Sequence, residues 1–122
     1  MIMVNSLIES ALNVAADAMA DVITHTSIHT AEPDETGSNE STAPRELITW
    51  NAATGGDATM AAAQDFTGGT PNGPALYVGF WGGAGPGGTF YGAKEIPAPG
   101  DQAFNAAGGY TVNTLTLPGS AT

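Results

Sequence analysis

The sequence predicts a mainly β chain, a small antiparallel β-sandwich or barrel with one N-terminal amphipathic helix. Three observations lead there. Gly (17) and Pro (8) are abundant while only 11% of residues are charged, a composition of short strands and many turns rather than long salt-bridged helices. Past residue 24 the apolar pattern alternates in short runs, each bounded by Gly, Pro or Asn. Before it lies one stretch with a helical period.

That helix is expected over residues 7–22. Ser6 followed by Glu9 is a capping-box spacing, in which each side chain accepts from an otherwise unpaired backbone N–H. Ile8, Leu12, Ala15, Met19 and Val22 recur at three and four, and Glu9, Asn13, Asp17 and Asp21 fall on the polar side. From Thr24 the period changes to two. THTSIHT places His25, Ser27 and His29 on one strand face and Thr26 and Ile28 on the other. Ala31 to Pro44 is polar, acidic and rich in turn formers, a surface loop long enough to be either mobile or held by a partner. Further strands are expected in Glu46–Asn51, Ala58–Phe66, Ala75–Trp81, Thr89–Glu95 and Tyr110–Leu117. A chain of 122 residues makes this a single domain, with the β part over 24–117.

Charge and residue supply exclude several function classes. Two basic residues, Arg45 and Lys94, against twelve acidic ones give a net charge of −10, so a nucleic-acid binder, which neutralises phosphates with Lys and Arg, is not expected. An acidic mimic of nucleic acid would need a denser charged surface than this one. Without cysteine there is no thiolate chemistry and no disulfide framework. The apolar N-terminal segment is interrupted by Glu9, Asp17 and Asp21 and has no basic residue before it, so it reads as neither a signal peptide nor a membrane span, and synthesis in a cytoplasm is expected.

Three patterns suggest chemistry at first sight. Gly83, Gly85 and Gly88 spell G-x-G-x-x-G, but a dinucleotide loop opens a helix whose N-terminus holds the pyrophosphate, and Thr89, Phe90 and Tyr91 favour a strand. The stretch is therefore expected to be a hairpin loop, with Phe80 and Trp81 on one arm and Phe90 and Tyr91 on the other. His25 and His29 have a metal spacing on a helix, whereas on a strand they stand roughly 13 Å apart at about 3.3 Å per residue. Glu32, Asp34, Thr36 and Gly37 approximate the start of a calcium loop, whose twelfth position is Ala43 instead of a bidentate Glu, leaving at most an irregular weak site. No nucleophile elbow or paired-carboxylate arrangement follows from spacing, so no enzyme activity, cofactor or metal is expected.

The order of segments resembles small bacteriophage virion proteins described as tail-fibre-like proteins of phages infecting actinobacteria. The resemblance rests on the Ala-rich helix running into T-H-x-S-I-H-T and an acidic loop, on RELITWNAATGG, on VGFWGGAGPGGTFYGA, and on GGYTVNTLTL, and it covers most of the chain. It implies a virion structural component made in the host cytoplasm. The compact length and acidic charge favour a capsid decoration protein on the outer shell over a tail-associated subunit, with other virion proteins as partners and a closed homo-oligomer such as a trimer as the unit. The expected partner interface comprises Leu7, Ala11, Ala15, His25, His29, Trp81 and Tyr91. A host-glycan-binding module, motivated by Trp50, Tyr77, Trp81 and Tyr91, is the alternative from another class.

Overall fold

The computed structural model describes residues 8–97 and 101–119. Helix α1 spans Glu9–Val22, and the strands that follow are β1 His25–His29, β2 Glu46–Leu47, β3 Asp57–Thr59, β4 Gln64–Phe66, β5 Tyr77–Gly82, β6 Thr89–Glu95, β7 Tyr110–Val112 and β8 Thr116–Pro118. The chain is mainly β with one N-terminal helix, as its composition predicts. Every strand pairing is antiparallel. A four-stranded sheet runs in the order β2-β1-β5-β6, and β3 with β8 and β4 with β7 form two-stranded ribbons, so among the described residues the strands do not close into a barrel.

The sheet is buried on both faces at its centre. Thr26 lies opposite Phe80 and Ile28 opposite Val78, and these four face the main core. That core is completed by Ile23, Ile48, Phe66, Phe104, Val112, Leu115, Leu117 and Ala16 of the helix. On the other face Ser27 lies opposite Gly79, His25 opposite Trp81 and His29 opposite Tyr77. The alternation of THTSIHT thus places the residues as their period requires.

The helix departs from its expected form. Glu9 is its first residue and Ile8 its N-cap, with no side-chain cap, so Glu9 does not occupy the third helical position that a capping box needs; Ser6 and Leu7 lie outside the described residues. The packed face is rotated as well. Asn13 Oδ1 accepts from Gly56 N–H at 2.8 Å and Asp17 Oδ1 from Ala53 N–H at 2.8 Å, which turns these two supposedly outward residues toward the body. Ala16 is consequently buried, and Val14 and Val22 are exposed. Two polar anchors that satisfy loop N–H groups offset the exposure of the two valines, because an unpaired buried N–H costs about 1–3 kcal/mol.

Three expected strands are shorter or divided. Residues 46–51 form a strand only at Glu46–Leu47, with a lone bridge from Trp50 to Met60, and 58–66 and 110–117 each split in two. Gln64 explains the first division. Its buried amide accepts from the Thr26 hydroxyl (2.6 Å) and donates to the carbonyls of Glu46 and Leu47 (3.2 and 3.0 Å), which ties β4 to β1 and β2 rather than to β3. The Trp50 indole donates to the Ile23 carbonyl (3.0 Å) and is drawn under the helix exit instead of extending β2.

The 31–44 loop folds back on its own chain. It is pinned to its own sheet, with Ser41 N–H on the Ile28 carbonyl (2.8 Å), Thr30 N–H on the Asn39 carbonyl (2.9 Å) and the Asn39 amide on the Glu32 carbonyl (3.0 Å).

Candidate functional site

The loop roofs the non-core face of β1 and β5, and beneath it runs a chain of polar contacts. His29 Nδ1 lies 2.8 Å from the Ser38 carbonyl, which only accepts, so Nδ1 carries the ring proton and Nε2 is an acceptor. Ser27 Oγ, 2.6 Å from Nε2, then donates to it and accepts from Trp81 Nε1–H at 2.8 Å. Gly79 makes room for this chain, since a Cβ there would collide with both the Ser27 hydroxyl and the His29 ring. Burial holds the His29 pKa below its ordinary 6.5, against the raising effects of the Ser38 carbonyl and Glu40 and with the positive charge of Arg45 as a smaller lowering one.

A serine hydroxyl aimed at a neutral imidazole whose other nitrogen is held by an acceptor has the connectivity of an activated nucleophile. Access decides its role. Ser27 and His29 are both 0% exposed, and the Trp81 ring stacks on His29 with centroids 6.5 Å apart and 9° between planes. A substrate cannot reach that hydroxyl, and the three groups serve to satisfy one another and to fix the loop through Ser38.

Arg45 clasps the loop to the β5–β6 hairpin. Its guanidinium lies 3.5 Å from the centroid of a Trp81 ring and donates to both carboxylate oxygens of Glu40 (2.8 and 3.1 Å). It also donates to the carbonyls of Gly83 (3.2 Å) and Gly87 (2.7 Å). The G-x-G-x-x-G loop therefore turns carbonyls toward a cation, the reverse of the N–H cradle that a phosphate requires. Gly85 and Gly88 have φ of 80° and 83°, which is the reason for glycine there. Gly37, at φ 77°, lies against Trp81 and Phe90, closing the roof over the aromatic layer.

Beside this clasp opens a groove of about 450 Å³. Glu32, Pro33, Asp34 and Glu35 of the loop form one wall, and Tyr77, Phe90, Tyr91, Gly92 and Ala93 of β5 and β6 form the other. A β-bulge places Tyr91. Phe80 pairs with Gly92 and Trp81 with Phe90, so Tyr91 is the extra residue, left outside the ladder and 48% exposed. The Tyr77 hydroxyl points at Glu32 (3.5 Å), and partial burial followed by the negative charges of Glu32 and Glu95 pushes its pKa up, so it stays a neutral phenol. Asp34 is held below its ordinary pKa first by the Thr36 hydroxyl (2.5 Å) and then by the Thr36 N–H (2.9 Å). No basic side chain lines the groove. Lys94 instead lines a second groove of about 520 Å³, against Glu95, Asp101 and Tyr110.

The residues expected at a partner surface are dispersed. His29 and Trp81 are turned inward and covered by their own chain, and His25 is half-buried with the Thr24 hydroxyl 2.9 Å from its Nδ1. Ala11 and Ala15 are half-buried on the helix, Tyr91 stands exposed at the groove, and Leu7 lies outside the described residues. Of the four aromatics named for sugar stacking, Tyr77 and Tyr91 share the groove, whereas Trp81 is buried and Trp50 packs against Phe80. Among the described residues no three His, Cys, Asp or Glu side chains are grouped to hold a metal ion. No helix among them is long and apolar enough to cross a membrane. Ser27 on the face of His29 was visible in the strand period, but the facing Gly79 that lets them meet was not. Comparison with protein-family models, curated proteins and solved structures finds no match.

Proposed function

We propose that this chain is a non-enzymatic structural subunit of a bacteriophage particle, a small decoration protein docked on the outer capsid shell. The observation that carries this reading is the edge of the main sheet. Strand β6 is seven residues long and, among the described residues, its outer side pairs with no other strand. Such an edge is a ready template for another chain, and here the clasp of Arg45, Glu40 and Trp81 holds the adjoining loop and hairpin rigid before any partner arrives. The order of sequence segments supports the particle assignment, and the exposed Val14 (70%) and Val22 (44%) of the helix suit contact with a sister subunit.

Copy number in purified particles, measured by quantitative mass spectrometry against the major shell protein, tests it. A ratio set by the shell is expected, a small number set by tail symmetry would move the chain to the tail, and its absence would end the reading. A glycan-binding module is the second reading, favoured by Tyr77 and Tyr91 meeting in one groove. Calorimetric titration with host wall fragments tests that one, and an absence of heat would remove it.

A further inference from the structure

We propose that the groove between the 31–44 loop and β6 is a receptor for an arginine or lysine side chain presented by the protein on which this subunit docks. The inference rests on the docking reading and supplies the chemistry of the contact.

The geometry begins with rings. Tyr77, Phe90 and Tyr91 line a groove of about 450 Å³, within the size range of sites that enclose a small group, and the bulge in β6 keeps Tyr91 available instead of folding it into the ladder. Aromatic faces take either an apolar ring or a cation. The opposite wall decides between them. Glu32, Asp34 and Glu35 put three carboxylates on it, and neither basic residue of the chain answers them, since Arg45 is committed to Glu40 and Lys94 lines the other groove. A guanidinium or ammonium would pair with these charges, which a neutral sugar cannot do.

The chain already uses this chemistry in the adjoining clasp. Arg45 lies on the Trp81 ring and forks onto the Glu40 carboxylate, and Trp81 packs at 4.9 Å against Phe90, the ring that continues into the groove. The groove repeats the combination of aromatic face and carboxylate next to the ring that packs on Trp81, with the cation left to come from another chain. It is also continuous with the free edge of β6, so a strand laid along that edge would pass its side chains over Tyr91. A net charge of −10 suits a basic partner surface.

The test is an amide chemical-shift titration of the isotopically labelled full chain with acetyl-Gly-Arg-Arg-Gly-amide, with the Gln-for-Arg version of that peptide, and with N-acetylglucosamine. Saturable shifts at Tyr91, Gly92 and Ala93 are expected with the arginine peptide alone, and the affinity should weaken as salt is raised above about 0.1 M and the Debye length falls below about 10 Å. Tyr91→Ala, and separately the pair Glu32→Gln and Glu35→Gln, should each weaken binding about two- to fivefold, while Tyr91→Phe retains it. These side chains lie outside the buried Ser27–His29–Trp81 chain, so unchanged unfolding midpoints will show that the variants are folded. No shift with the arginine peptide, or equal shifts with its neutral version, overturns the proposal, and saturable binding of the sugar alone gives the groove to a glycan. A chain present in particles that ignores the peptide loses this inference and keeps its docking role.

Discussion

Replacing Ser27 by alanine removes one oxygen and orphans two groups. The Trp81 indole N–H loses its acceptor at 2.8 Å, and His29 Nε2 loses its donor at 2.6 Å. Both rings are buried, Trp81 at 4% and His29 at 0% exposure, so water does not take over either bond. An unsatisfied buried group costs about 1–3 kcal/mol, so two of them set the loss at roughly 2–6 kcal/mol. A chain of this length has about 6–18 kcal/mol to lose, so the variant should fold with a clearly lowered urea midpoint and an unchanged dependence on denaturant. Pairing the change with Trp81→Phe separates the bond from the loss of bulk. Once the indole N–H is gone, Ser27→Ala should cost about 1 kcal/mol less than in the parent chain. A single-variant cost below about 0.5 kcal/mol, or strict additivity in the cycle, would refute the claim that the three side chains satisfy one another.

Other perturbations address the same clasp from different sides. Because burial lowers the folded-state pKa of His29 below 6.5, the unfolded chain binds the extra proton first, so stability is fully present above pH 6.5 and falls as the pH drops below it, with a slope approaching about 1.4 kcal/mol per pH unit; urea midpoints between pH 7.5 and 5 should show this, and His29→Gln should flatten it. Gly37→Ala places a methyl against the Trp81 and Phe90 rings at a φ of 77° and should cost about 2–4 kcal/mol by thermal or chemical unfolding. Arg45→Lys keeps the charge but loses the fork onto Glu40 and the flat contact on Trp81, with an expected loss of about 1–3 kcal/mol and faster amide exchange at Ser38 to Ser41.

Period and turn chemistry made much of this fold legible before any coordinates. Strand β6 spans the expected Thr89–Glu95, the Gly-rich stretch is a hairpin loop, and Ser27 and His29 share a strand face because that depends only on a two-residue repeat. Half of the groove was legible too, since Tyr77 and Tyr91 were both named as aromatics able to stack on a sugar. The helix face was misjudged because a periodicity count scores Asn13 and Asp17 as polar and therefore outward, and cannot register that two loop N–H groups need them. The same limit hid Gln64, whose amide cuts one apparent strand in two.

The sequence by itself determined the class of fold, the absence of thiol chemistry and the acidic surplus that makes a basic partner fitting, because composition and short-range repeats are properties of the chain alone. Tertiary structure decided the rest. His29 and Trp81 became a buried clasp rather than a surface because Gly79, some fifty residues away from them in one case and two in the other, leaves the space in which they meet Ser27. The acidic loop became one wall of a groove because Arg45 bridges it to a hairpin about forty residues later. Contacts between residues so far apart in the chain are fixed by packing, and no local pattern encodes them.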